Sequence, residues 1–238
     1  MIGMGTLINS IAIVVGGLIG LTLKKLFSES MQDGLKKVCG ISTMFIAIAG
    51  AMEGMLKIKD GALTSEKSLL IVLCMTIGTL IGEAIGIDKA FVDFGNWLKN
   101  KTGNKSDTSF VNAFLTASFT VCIGAMAIVG SIEDGIRGNI SILVVKSVLD
   151  FIMIAVMASS IGKGAIYSAI PVFVFQGLVT LLARFISPIL TEMSINYISL
   201  IGSILIFCVG VNLIWDNKIK IANMLPSLVA AVVLAYVN

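Results

Sequence analysis

Lys146 and Asp150 carry the strongest chemistry in the chain. They lie in the apolar run ISILVVKSVLDFIMIAVMASS, and a spacing of four puts both on one face of a helix. Asp150 falls at the middle of that run. A lone charge at the centre of a bilayer costs about 2.5–3.5 kcal/mol on insertion scales, so such a residue faces a bundle interior and a partner. Two roles are open. Asp150 could bind a monovalent cation or exchange it for a proton, with Lys146 neutralising the site when the cation leaves. The pair could equally be a structural tie between helices.

Other polar groups could complete such a site. Asn112, Thr116, Thr120 and Gly124 recur every four residues and form one narrow polar stripe in an apolar segment. Their hydroxyl and amide oxygens suit a hard cation or a polar solute rather than a soft metal. The same hydroxyls could instead bond their own helix carbonyls. Ser147 neighbours Lys146, while Asn9, Gln176, Thr180 and Asn212 stand in otherwise apolar segments. Each suits a helix-to-helix hydrogen bond as well as a ligand. Glu133, Asp134 and Asn139, in a glycine-rich stretch, read as a cation vestibule or as a solvated turn. Pro171 should kink the segment that carries it and free a carbonyl.

Several chemistries are excluded. The chain has no histidine, so Ser–His and Cys–His catalysis are impossible. Gly40-Ile-Ser42 therefore has no dyad to join. No phosphate-binding loop and no H-E-x-x-H occurs, which leaves out primary ATP-driven transport. Cys39, Cys74, Cys122 and Cys208 lie singly in apolar stretches and form no metal knuckle. No enzyme, no metal centre and no cofactor are expected; a bound sodium ion is the one accessory the site would accept.

The composition supplies the frame for these residues. Of 238 residues, 57% are hydrophobic and 13% charged, with a net charge of +3 and a mean hydropathy of +1.01. Soluble domains carry about twice that share of charge. The small positive charge is too scattered to track phosphates, so nucleic acid is not a partner. Membrane lipid is, and a homo-oligomer is more readily formed than a complex with a soluble domain. Eight helical spans are expected, at 5–23, 38–56, 68–86, 109–130, 140–161, 164–186, 195–214 and 221–237; Pro226 leaves the last one short, and seven spans plus a re-entrant end is the alternative. The whole of 1–238 reads as one all-α polytopic membrane domain.

Three patterns refine this frame. Eleven of the loop lysines and arginines fall on one side of the eight spans and five on the other. The positive-inside rule then places the N-terminus outside the bacterial inner membrane. Residues 88–101 put Ala90, Phe91, Phe94, Trp97 and Leu98 on one helix face, as an interfacial amphipathic helix does. Residues 16–54 align without gaps to 176–214 with six identities, Gly17 with Gly177 and Gly50 with Gly210 among them. Halves 1–87 and 164–238 would then be inverted repeats around spans 4 and 5, an arrangement found in secondary transporters.

Gly5-Thr6-Leu-Ile-Asn9, the run Cys122 to Gly135 and Lys146-Ser147-Val-Leu-Asp150 resemble the bacterial membrane family catalogued as domain of unknown function 554. That resemblance extends over nearly the whole chain. It implies a multi-pass inner-membrane protein, and the family carries the label "possible sodium channel or pump". The expectation is a small transporter or channel for Na+, H+ or a polar solute coupled to one. The alternative is a non-transporting scaffold, sensor or accessory subunit.

Overall fold

The computed structural model describes residues 2–123, 125–215 and 218–237. Helix α1 (Met4–Lys24) leads into α2 (Glu29–Met55), whose Ser28 cap accepts from Met31 N and starts the helix nine residues before the apolar run. A hairpin, β1 (Leu56–Lys59) and β2 (Ala62–Ser65), follows. It was not expected, although Asp60-Gly61 between alternating apolar residues is a hairpin turn signature. Both turn residues have positive φ, 53° and 76°. Lys59 and Lys57 clamp Glu66 at its base, 2.5 and 3.1 Å away, and hold its carboxyl below the ordinary range.

Next come α3 (Ser68–Ile85) and α4 (Ile87–Lys101), then α5 (Phe110–Cys122), α6 (Ala125–Arg137) and α7 (Ser141–Ile161). The chain continues through a 3-10 turn (Lys163–Ser168) into α8 (Ala169–Leu181) and the short α9 (Ala183–Ile186). It finishes with α10 (Glu192–Trp215), α11 (Ile221–Met224) and α12 (Pro226–Val237). Six of the described helices are long and apolar enough to cross a membrane. The pair α5–α6, bent by 61°, makes a seventh span if taken as one, and α11–α12 forms a shorter apolar stretch. The protein is therefore an all-α polytopic membrane protein.

Two expectations about span 4 need correction. The segment 109–130 is not one helix: Ile123 turns to extended backbone (φ −84°, ψ 121°) and splits it into halves. Gly124, the last member of the polar stripe, lies outside the described residues. The charged stretch 130–139 is not a loop either. It is the second half-helix, carried to Arg137 by a Glu133–Arg137 pair at 3.1 Å and ended by Gly138 at φ 66°. Pro171 does not kink its helix midway. It sits in the first turn of α8, where a missing N–H costs nothing, and the irregular backbone is the 3-10 turn before it.

Glycines set how the spans meet. A Cβ on Gly16 would lie 2.5 Å from the Phe151 carbonyl, and one on Gly20 would collide with that of Ala155. Gly5 meets Leu143, so α1 and α7 run parallel with touching backbones. Gly40, Gly50 and Gly54 meet Gly210, Ser203 and Leu200 in turn, which makes α2 and α10 antiparallel. Gly78 and Gly82 fit against Ser227 and Asn223, setting α12 antiparallel to α3. Small residues at four-residue spacing thus serve close packing within one chain. The core runs along these seams, with Ile13, Ala117, Ile154, Met157, Leu205 and Val209 buried together. Helix α4 rests its aromatic face on α5 through Phe91–Phe119 and Phe94–Phe114 ring contacts.

Gly16→Leu should therefore separate α1 from α7 and lower the melting temperature sharply. Gly34→Ala, where nothing lies within 4 Å of the added methyl, should be neutral or raise stability by about 1 kcal/mol. Melting both variants in detergent checks the pair; equal effects would disprove the packing account.

Candidate functional site

Parallel packing of α1 and α7 brings Asn9 to the charged face of α7. Lys146 Nζ donates to both Asp150 oxygens, at 2.9 and 2.7 Å. Its third hydrogen bond, at 2.7 Å, goes to the Val121 carbonyl. That carbonyl belongs to the last turn of α5, which ends at Cys122 and so leaves it without a helical donor four residues on. Asn9 Nδ2 donates to Asp150 Oδ2 at 3.0 Å and lies 3.4 Å from Gln176 Oε1 on α8. The four side chains are 0–8% exposed. A net-neutral cluster thus joins α1, α5, α7 and α8 at mid-span.

The cluster is incompletely satisfied on one side. Asn9 Oδ1, Gln176 Nε2, Thr6 Oγ1 and Thr180 Oγ1 are buried without a hydrogen-bond partner. Thr6 precedes Asn9 by one turn on α1, and Thr180 follows Gln176 by one turn on α8. The two helices run antiparallel, so these groups continue as a polar seam from Asp150 toward the end where α1 begins. Ser131 on α6 is likewise buried and unpartnered. A buried polar atom without a partner is costly in an apolar interior.

The remaining candidates separate from this cluster. Ser147 and Thr120 return their hydroxyls to the carbonyls four residues back, Leu143 and Thr116. Asn112 and Thr116 line a cavity of about 360 Å³ at the opposite end, with Lys24, Ser109, Ser160 and Asn212. They also line a smaller one of about 140 Å³ beside it. Asn212 clips the α10–α11 connection through the Ile219 N–H and carbonyl. The three vestibule residues do not converge. Glu133 pairs with Arg137, and Asn139 accepts from Ser141 N to open α7. Asp134, fully buried, accepts from Gly3 N and Gly5 N at 3.1 Å each. It caps α1, placing a carboxylate at a helix N-terminus as the backbone dipole favours.

Sequence reasoning singled out the charged pair, Asn9 and Gln176. It did not find the Val121 carbonyl, because a backbone acceptor has no side-chain signature. It did not find Thr6 or Ser131 as partners of the seam, since their pairing depends on which helices meet.

The family comparison agrees with this reach across the chain. The family described as "Protein of unknown function (DUF554)" matches residues 4–236. The chain belongs to that family. Among its relatives, "Uncharacterized membrane protein YdfK" of Bacillus subtilis is 30% identical over 234 residues, covering 98% of this chain and 96% of that protein. "Uncharacterized protein YqgA" of Escherichia coli is 26% identical over 235 residues, covering 97% and 95%. No solved structure matches the chain. Every element of the buried cluster, from Asn9 on α1 to Gln176 on α8, lies inside the matched region of the family.

Removing the cap should loosen α1 first. Asp134→Ala leaves the buried Gly5 N–H and the half-buried Gly3 N–H unsatisfied, a loss of about 1–3 kcal/mol. Hydrogen exchange at residues 3–7 should quicken while the amides of α10 keep their protection. Unchanged exchange at α1 would contradict the capping role.

Proposed function

We propose that this protein is a small secondary transporter of the inner membrane, with its N-terminus outside. It moves a monovalent cation, or a polar solute coupled to one, past Asp150. The supporting observation is the buried Lys146–Asp150 pair seated on a freed backbone carbonyl, with an unpartnered polar seam leading away from it. Charges inside a membrane bundle mark ion paths, and broken helices at mid-membrane build transport sites.

Space on both sides fits this reading. The cavity of about 360 Å³, with Thr116 among its walls, approaches from one end. A mostly apolar groove of about 340 Å³, with Thr6 and Thr180 in its wall, approaches from the other. The pair lies between them, as in a closed intermediate of alternating access. The antiparallel pairing of α1 with α8, α2 with α10 and α3 with α12 is the arrangement that inverted halves 1–87 and 164–238 would adopt, and it supports the repeat proposal.

A second reading, a scaffold or accessory subunit, draws on one observation. Both Asp150 oxygens are hydrogen-bonded, and neither Asp150 nor Lys146 is among the walls of the two cavities just described. On that reading the pair is a strut.

Reconstitution separates the two. Currents on a solid-supported membrane should appear with the right ion or solute jump and vanish in Asp150→Asn, which keeps its fold. An Asp150→Asn protein transporting at the parental rate would overturn the site assignment. Silence for every ion and solute, together with no tracer exchange in proteoliposomes, would favour the strut.

A further inference from the structure

The ammonium of Lys146 stands where a broken-helix transporter would hold its coupling metal ion. Three oxygens surround it: two from Asp150 and the Val121 carbonyl at the end of α5, all 2.7–2.9 Å away. Unwound backbone carbonyls and half-helix C-terminal ends are what membrane transporters offer to a coupling sodium ion or proton. All three ammonium protons are used, so no second cation can join this carboxylate face without displacing Lys146. A displaced ammonium would have to remain in an apolar interior, 8% exposed as it now is.

We propose that Lys146 is a built-in counter-cation and that the coupling ion at this site is the proton, not sodium. The proposal rests on the transporter reading given above and names its ion. A proton reaching Asp150 forms an O–H bond and turns the carboxylate into the neutral acid. Lys146 keeps its three protons and its hold on Val121, and the pair passes from net zero to +1. Loss of that proton restores the pair. The unpartnered groups along Thr6, Asn9, Gln176 and Thr180 lead to Asp150 from the end opposite the Asn112–Thr116 cavity. They suit a chain of hydrogen bonds better than a desolvated metal ion, because Gln176 offers a donor.

The groups facing the pair are few. Helix α1 brings Asn9 and α8 brings Gln176. From α5 come the Val121 carbonyl and the Cys122 thiol, which feels both charges. Helix α2 brings Cys39, against Met153 of α7. On α6, Asp134 is held by Gly3 and Gly5 at the start of α1, and Lys163 of the 3-10 turn follows the far end of α7. No other charged side chain among the described residues bonds to the pair.

Thermal melting of the purified full chain in sodium, with choline replacing it at constant ionic strength, tests this without any transport assay. The parent should not respond to sodium. Lys146→Ala leaves the Asp150 carboxylate and the Val121 carbonyl as an open cage, so sodium should raise its melting temperature by about 4 °C or more. Lys146→Ala with Asp150→Asn should lose that response. A sodium-stabilised parent, or a folded Lys146→Ala protein indifferent to sodium, would overturn the proposal. If Lys146→Ala folds only in sodium the proposal stands; if it folds in no salt, the parent's own titration decides. In proteoliposomes a pH gradient, and not a sodium gradient, should drive flux. Absent flux under both would count against the transporter reading while leaving the melting result to judge the cation site.

Discussion

An ammonium and a carboxylate cannot stand alone in hydrocarbon, and the fold is arranged around that constraint. Lys146 needs three acceptors and Asp150 supplies two. The third is a backbone carbonyl that a break in a neighbouring span leaves free. The break between α5 and α6 supplies it at Val121. Asn9 then completes the carboxylate, which requires α1 to lie directly against α7. Gly16 and Gly20 permit that by offering no side chain to the Phe151 and Ala155 carbonyls. A buried pair is costly to desolvate and seldom retained for stability alone. Its position at mid-span, where an apolar pair would serve packing as well, is why we read it as functional.

The second carboxylate follows the same logic by another route. Asp134 has no ammonium. It is fully buried and balanced by two N–H groups and the positive end of α1. The N-terminus of α1 and the second half of the broken span are thereby tied, and α8 closes over both where Gly135 meets the Thr180 carbonyl. Motion of α6 would be felt at both ends of the seam. The two carboxylates are thus linked through one helix rather than through a direct contact.

Much of this was legible in the sequence. The spacing of Lys146 and Asp150 foretold one helix face. The aromatic face of residues 88–101 foretold α4 almost to the residue. The spans were visible because lipid demands long apolar runs. Span 4 misled for a physical reason: an apolar run gives no sign of where Ile123 leaves the helical region, and helix propensity differences are small beside tertiary packing. The charged stretch after Gly130 looked like a turn, yet its Glu133–Arg137 spacing already suited a helix. The hairpin at Asp60-Gly61 carries a turn signature of its own in the sequence. Which polar residues share a seam could not be read at all. Thr6 and Thr180 share one groove only because α1 and α8 pack together.

The central claim is that the Lys146–Asp150 pair is the closed midpoint of a path and that the two ends open in turn. Single cysteines at Thr6 and at Thr116, in a background without the four native cysteines, report this directly. Their labelling by a membrane-impermeant maleimide would be followed in sealed vesicles while a pH gradient is imposed and reversed. The account predicts reciprocal rates: one position quickens as the other slows, and Asp150→Asn freezes both. Rates that stay fixed at both positions under either gradient would contradict it and leave the pair a strut.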